Sequence, residues 1–136
     1  ISKLLNHSIM KYENKNITSN IEQKVFFNGR RSLINRCMDN LINNSLKYSN
    51  KVLVNLKKIH KNLIITVDDD GPGIAESEYE NVFKPFYKIN KGRGDSKSSV
   101  GLGLSISSDV VRSHGGSITL EKSSLGGLKV KISLPS

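Results

Sequence analysis

Leu33, Ile34, Cys37, Met38, Leu41, Ile42 and Leu46 recur at intervals of three and four residues, the period of an α-helix with a single apolar face. A stripe of that length has to be covered, so the chain must supply a second layer of structure against it. The material for that layer follows directly. Val52–Ile59 alternates apolar and polar residues and Leu63–Val67 is a compact apolar run, with His60, Lys61 and Asn62 between them, which predicts a hairpin. Ser117–Lys122 and Leu128–Leu134 alternate in the same way across Gly126-Gly127 and predict another.

Leu4, Leu5, Ile9 and Met10 fall at near-helical spacing within Ile1–Lys11, Asn14–Asn20 reads as a polar loop with weak extended character, and Gln23–Phe27 reads as a short strand stopped by Asn28-Gly29. Glu76–Val82 predicts a short helix. Lys84–Val100 has the Lys, Gly, Ser and Asn composition of mobile surface chain. Helical period returns at Leu104, Ile106, Val110 and Val111 and closes on His114-Gly115-Gly116, where glycine suits a left-handed cap. The expected fold class is therefore α+β, a two-layer α/β sandwich. Its mixed, mostly antiparallel sheet is covered on one face by about three helices and is more polar on the other.

Composition narrows the functional classes. Cys37 is the only cysteine, which excludes a disulfide framework and a Cys-rich zinc site. No apolar run approaches the roughly 20 residues that cross a bilayer, and no export signal opens the chain, so a soluble chain without membrane contact is expected. Lys and Arg number 21 against 12 Asp and Glu, a net charge of +9 that favours phosphate-bearing partners. Nucleic acid is not expected, because only 6% of residues are aromatic and the lysines are scattered.

Three clusters carry chemistry. Asn40, Asn44, Lys47 and Tyr48 are spaced i, i+4, i+7 and i+8, which confines them to an arc of about 100° on the long helix, so that one ligand could touch all four. An amide oxygen is a hard ligand for Mg²⁺, a lysine ammonium is a point charge for phosphate, and tyrosine offers a flat ring. The bland alternative is an asparagine-rich composition. Asp69-Asp70-Gly71-Pro72-Gly73 follows an apolar strand, placing a carboxylate at its tip where glycines let a flat ligand approach the backbone; a plain acidic turn is the alternative. Gly101-Leu102-Gly103-Leu104 opens a helix, whose N–H groups suit a phosphate. Neither a Walker loop nor a full dinucleotide fingerprint occurs.

The order of these clusters, with the aromatic run Phe83-Lys84-Pro85-Phe86 between the last two, resembles the catalytic ATP-binding domain of two-component sensor histidine kinases, in the superfamily of gyrase, chaperone and mismatch-repair ATPases. The resemblance spans about residues 28–135. Arg36–Ser49 resembles the family's N box, Asp69–Ile74 its first glycine box, Val82–Tyr87 its F box and Val100–Leu104 its second glycine box. The Asp-Asp-Gly-Pro-Gly-Ile run is similar to that of osmolarity-type sensors.

This resemblance implies a Bergerat-type fold, with residues 1–27 as an N-terminal helix and strand segment of the same domain and 28–136 as the ATP-binding catalytic core with a lid at 88–100. It implies Asn44 as the Mg²⁺ ligand, Asn40 as its polar neighbour, Lys47 and Lys88 toward the phosphates and Tyr48 against the nucleotide. Asp69 would read the adenine amine beside Gly71, Gly73 and Ile74. Phe83 and Phe86 would anchor the lid, and Gly101, Leu102, Gly103 and Leu104 would bring it to the triphosphate. ATP and Mg²⁺ are the implied cofactors. The implied reaction is transfer of the γ-phosphate to a histidine on a separate dimerisation domain of the same parent, for relay to a response-regulator aspartate. An ATP-binding regulatory module without phosphotransfer is the alternative. A cytoplasmic domain of an inner-membrane parent is implied.

Two departures matter. Relatives that hydrolyse ATP carry a glutamate base four residues before the metal-binding asparagine, where this chain has Asn40. An amide cannot take that proton, so kinase is favoured over hydrolase. Ser99-Val100 stands where relatives often have Gly-Thr. His7, His60 and His114 lack an acceptor-type setting, so the phosphorylated histidine is expected elsewhere.

Overall fold

The computed structural model describes residues 1–11, 17–85, 89–90, 99–100 and 104–135. In chain order these form α1 (Ser2–Met10), β1 (Ile17–Ile21), α2 (Arg31–Tyr48), β2 (Val52–Ile59), β3 (Asn62–Asp69), two single-turn 3-10 helices (Glu76–Glu78 and Asn81–Phe83), β4 (Ile89–Asn90), β5 (Ser99–Val100), α3 (Leu104–Ser113), β6 (Ser117–Lys122) and β7 (Leu128–Pro135). Five strands make one sheet in the order β1-β2-β3-β7-β6, parallel between β1 and β2 and antiparallel elsewhere. The mixed, mostly antiparallel α+β architecture expected from the sequence is what forms.

Register explains the layering. Val67 lies between Val54 and Val130, and Ile65 lies between Leu56 and Ile132. All six are buried on the face that α2 covers. Asn55, Thr66, Lys129 and Lys131 point the other way and stay partly solvated, so the second face is polar, as alternation requires. α1 packs on α2 and β1, and α3 packs on α2 and β6.

Three local expectations are corrected. The first strand is Ile17–Ile21, overlapping the segment read as a polar loop with weak extended character, and Gln23–Phe27 is irregular. The reason lies in α1: the Ser2 N–H donates to the Val25 carbonyl at 3.3 Å and the Val25 N–H donates to Ser2 Oγ at 3.0 Å, so those backbone groups are unavailable to a ladder. Glu76–Val82 is not one helix but the two 3-10 turns. Ile106 is 56% exposed. It stands about 200° around α3 from Leu104, and the buried face is instead Leu104, Ser107, Ser108, Val110 and Val111.

Leu5 of α1 is wholly buried in the same apolar cluster as Met38 and Leu41. Leu5→Ala is therefore expected to lower the stability of the whole chain by about 2–5 kcal/mol. Denaturant unfolding checks this, with a single shifted transition as the expected result; an unshifted midpoint would make α1 an appendage.

Candidate functional site

β3 ends at a carboxylate whose two oxygens have different fates. Asp69 Oδ1 accepts the N–H of Gly71 and the N–H of Leu128, both at 3.0 Å, while the Asp69 carbonyl accepts the Gly127 N–H at 3.1 Å. Among the described residues no hydrogen bond engages Oδ2. Burial raises the Asp69 carboxyl above its ordinary value, and the Leu128 and Gly71 N–H groups oppose that rise. A buried carboxylate with one oxygen pinned by the backbone presents the other as an oriented acceptor.

That acceptor borders a cleft between the layers. α2 contributes Asn44 and Tyr48 to its polar side, Leu41 and Val130 line it from the core, and Gly73, Ile74 and Leu104 complete it. Its empty space, the open mouth included, is about 470 Å³. An apolar slot ending at one carboxylate oxygen suits a flat heteroaromatic ring bearing an amine.

The loop after β3 is held close to α2. A Cβ on Gly71 would stand 2.6 Å from the Tyr48 carbonyl oxygen, and Gly73 has φ +71°, so both positions demand glycine. Asp70 Oδ1 accepts the N–H groups of Asn50 at 2.9 Å and Lys51 at 2.8 Å, and these bonds hold its carboxyl below the ordinary range. The two acidic neighbours thus do opposite jobs: Asp70 ties the α2–β2 loop to the strand tip, and Asp69 faces the cleft.

The polar stripe on α2 divides. Asn44 and Tyr48 line the cleft; Lys47 is exposed at its mouth, with Nζ 5.4 Å from the Tyr48 ring centroid, in a surface recess shared with Gly71. Asn40 is a turn away, its Nδ2 donating to Ser107 Oγ at 3.1 Å. Ser107 is wholly buried on α3, so Asn40 ties α2 to α3 instead of lining the cleft. Phe83 packs against the core. Phe86, Lys88, Gly101, Leu102 and Gly103 lie outside the described residues, as does most of the expected lid, of which Ile89 pairs with Val100 and Asn90 with Ser99.

His114 is structural, as expected. Its Nδ1 meets the Val110 carbonyl at 2.7 Å and its Nε2 accepts the Arg30 N–H at 3.0 Å, which caps α2 where no side chain of its own does so. Cys37 is buried, and burial pushes its thiol up to about 11, away from reactivity. Pro72, within the Asp69–Gly73 run, also lines the cleft, as do Ser45, Leu128 and Val130, which the sequence did not single out. Only the Gly126-Gly127 turn immediately before Leu128 hinted at them.

Among the described residues no three His, Cys, Asp or Glu side chains gather into a metal site. The Asn44 amide oxygen is a hard donor of the kind that completes a Mg²⁺ shell when phosphate and water supply the remaining ligands. This donor fits a cation carried in on a nucleotide.

No helix among the described residues is long and apolar enough to cross a membrane. Residues 29–136 match the family model described as histidine kinase-, DNA gyrase B- and HSP90-like ATPase. The chain is 35% identical over 108 residues to the sensor histidine kinase GtrS of Pseudomonas aeruginosa and 36% identical over 108 residues to the sensor histidine kinase CpxA of Escherichia coli. Each alignment covers 79% of this chain and only 22% or 24% of the relative, so the chain spans about a quarter of their length. Its fold matches a nucleotide-free catalytic domain of histidine kinase ThkA with a TM-score of 0.83 and 23% identity, over 99% of this chain and 91% of that one. The chain belongs to the histidine kinase-, gyrase- and HSP90-like ATPase family, as an ATP-binding module of the sensor-kinase type.

Proposed function

We propose that this chain binds ATP·Mg²⁺ in the cleft between α2 and the tip of β3 and presents the γ-phosphate to a histidine on a separate dimerisation domain. The observation that supports this most strongly is that Asn44 and Asp69, 25 positions apart in sequence, line one cavity. Asp69 Oδ2 accepts the adenine amine, Gly73 and Ile74 flank the ring, and Tyr48 borders the nucleotide. The Asn44 amide oxygen ligates Mg²⁺, and Lys47 at the mouth neutralises phosphate charge. Lys88, the lid at 88–100 and the Gly101–Leu104 turn act on the triphosphate, with Phe83 and Phe86 at the lid base.

A histidine nitrogen on the partner domain attacks the γ-phosphorus, the bond to the bridging oxygen breaks and ADP leaves. The imidazole is already a nucleophile, so this module contributes positioning and charge neutralisation, not a base. That agrees with Asn40, an amide that donates to Ser107 and cannot take a proton from water. The relatives' names, sensor histidine kinases, support relay to a response-regulator aspartate and a membrane-bound parent with this module on the cytoplasmic side.

Incubation with radiolabelled ATP, Mg²⁺ and a histidine-bearing dimerisation domain from a sensor kinase tests the reading. Acid-labile, base-stable phosphohistidine is expected. Magnesium-dependent ATP binding with no transfer to any such domain would favour a regulatory ATP-binding module.

A further inference from the structure

Gly127 lies beside the base-reading carboxylate, and its glycine is not explained by its backbone. Among the described glycines, positive φ occurs at Gly73, Gly115 and Gly126, and Gly127 is not one of them. Space explains it: a Cβ on Gly127 would stand 2.1 Å from Asp69 Oδ1, 2.6 Å from the Asp69 carbonyl oxygen and 2.6 Å from the Gly71 nitrogen. Those three atoms belong to the hydrogen bonds that aim Asp69, since Oδ1 accepts from Gly71 and Leu128 and the carbonyl accepts from Gly127 itself. Carbon atoms do not approach oxygen or nitrogen so closely, so any side chain at 127 must push the carboxylate from its place.

We infer that Gly127 is a positioning residue for base selection: the absence of its side chain lets the β6–β7 turn close on Asp69 and point Oδ2 into the cleft. This rests on the ATP-binding reading of the same site and assigns its selectivity to a residue 58 positions beyond the carboxylate. Gly127 acts through Asp69 and does not itself line the cleft. The neighbouring Gly126 supplies an internal control. It has φ +105° and a Cβ there would meet nothing within 4 Å, so Gly126→Ala strains the same turn without touching the carboxylate.

The test is calorimetric titration of the 136-residue chain with Mg·ATP and with Mg·ITP, whose base carries an oxygen in place of the adenine amine. The wild type is expected to prefer ATP. Gly127→Ala should reduce that preference at least tenfold, mainly by weakening ATP, and Asp69→Ala should reduce it by a similar factor. In the double variant the two losses should not add. Gly126→Ala should lower the melting temperature and keep the preference. If Gly127→Ala is unfolded in buffer, the same titrations in a stabilising osmolyte, which favours the compact state, are expected to show the folded variant without the ATP preference. An unchanged ATP-to-ITP ratio in Gly127→Ala under either condition, or equal loss in Gly126→Ala, would overturn the inference while leaving ATP binding intact. A wild type that binds neither nucleotide would instead overturn the reading on which it rests.

Discussion

Asp69→Asn is expected to leave the chain folded while removing about two orders of magnitude of ATP affinity. The asparagine oxygen can still accept the Gly71 and Leu128 N–H groups that now bind Oδ1, so the turn keeps its bonds. The other half of the side chain becomes an NH₂ group facing an adenine amine, two donors with nothing between them. Loss of a hydrogen bond to a charged group costs about 1.5–3 kcal/mol, and the donor conflict adds to it, which makes about a hundredfold in affinity. Preference for adenine over guanine should shrink as well, because guanine offers an acceptor at that position. Isothermal calorimetry with ATP and GTP checks both.

The same substitution has a stability signature of opposite sign. Burial raises the Asp69 carboxyl above 3.8 in the folded chain, so the folded state holds that proton more tightly than the unfolded one. Between the ordinary and the raised value the folded state binds more protons, and stability falls as pH rises through that window and stays reduced above it. Asparagine carries no such loss. At pH 7 the variant is expected to melt at the same temperature as the wild type or higher, with a shallower decline in stability from acid to neutral pH. Asp68, also raised by burial, keeps part of the slope. A variant that loses both binding and fold would mean that Asp69 acts mainly as a structural clamp.

Asn44→Ala should act on the metal and not on the base. The side chain lines the cleft from α2, on the helix and not on the strand tip where the ring is read. Without its amide oxygen, ATP affinity in the presence of Mg²⁺ is expected to fall to about the affinity of ATP alone. Preference for adenine should persist. Titrations with and without magnesium separate the outcomes: a retained magnesium effect would remove Asn44 from the metal shell, and loss of adenine selectivity would place it on the wrong part of the ligand.

How much of this was legible in the sequence depended on whether one physical signal dominated each segment. α2 announces itself because six buried positions, from Ile34 to Ser45, fall on one face. β2, β3 and β7 alternate over most of their length because one sheet face is buried and the other solvated, whereas the edge strand β6 buries only Leu120. β1 was missed because it is an edge strand whose sequence, Ile-Thr-Ser-Asn-Ile, keeps only its two ends partly covered. Val25 misled in the opposite direction, since its side chain joins the core while its backbone bonds to Ser2 of α1 and not to a strand. In α3 the apolar residues Leu104, Val110 and Val111 marked the buried face, while Ile106 misled, because Ser107 and Ser108 occupy the remaining core positions and Asn40 satisfies one of them. At the site, Asp69, Gly73 and Asn44 could be read from local chemistry. Leu128 could not, because its contribution is a backbone N–H delivered across the sheet from 59 residues away, and Gly127 looks in sequence like any turn glycine.

The central claim is that an adenine nucleotide occupies the cleft shared by Asn44 and Asp69. Titrating the isotope-labelled chain with ATP and Mg²⁺ while following backbone amide resonances tests it most directly, because the Gly71 and Leu128 N–H groups bond to the carboxylate that would read the base. Saturable shifts concentrated at Gly71, Gly73, Leu128 and the Asn44 turn of α2 are the predicted result. Saturable binding that leaves those amides unmoved and shifts the apolar groove around Ile1, Phe26 and Arg31 would contradict the account.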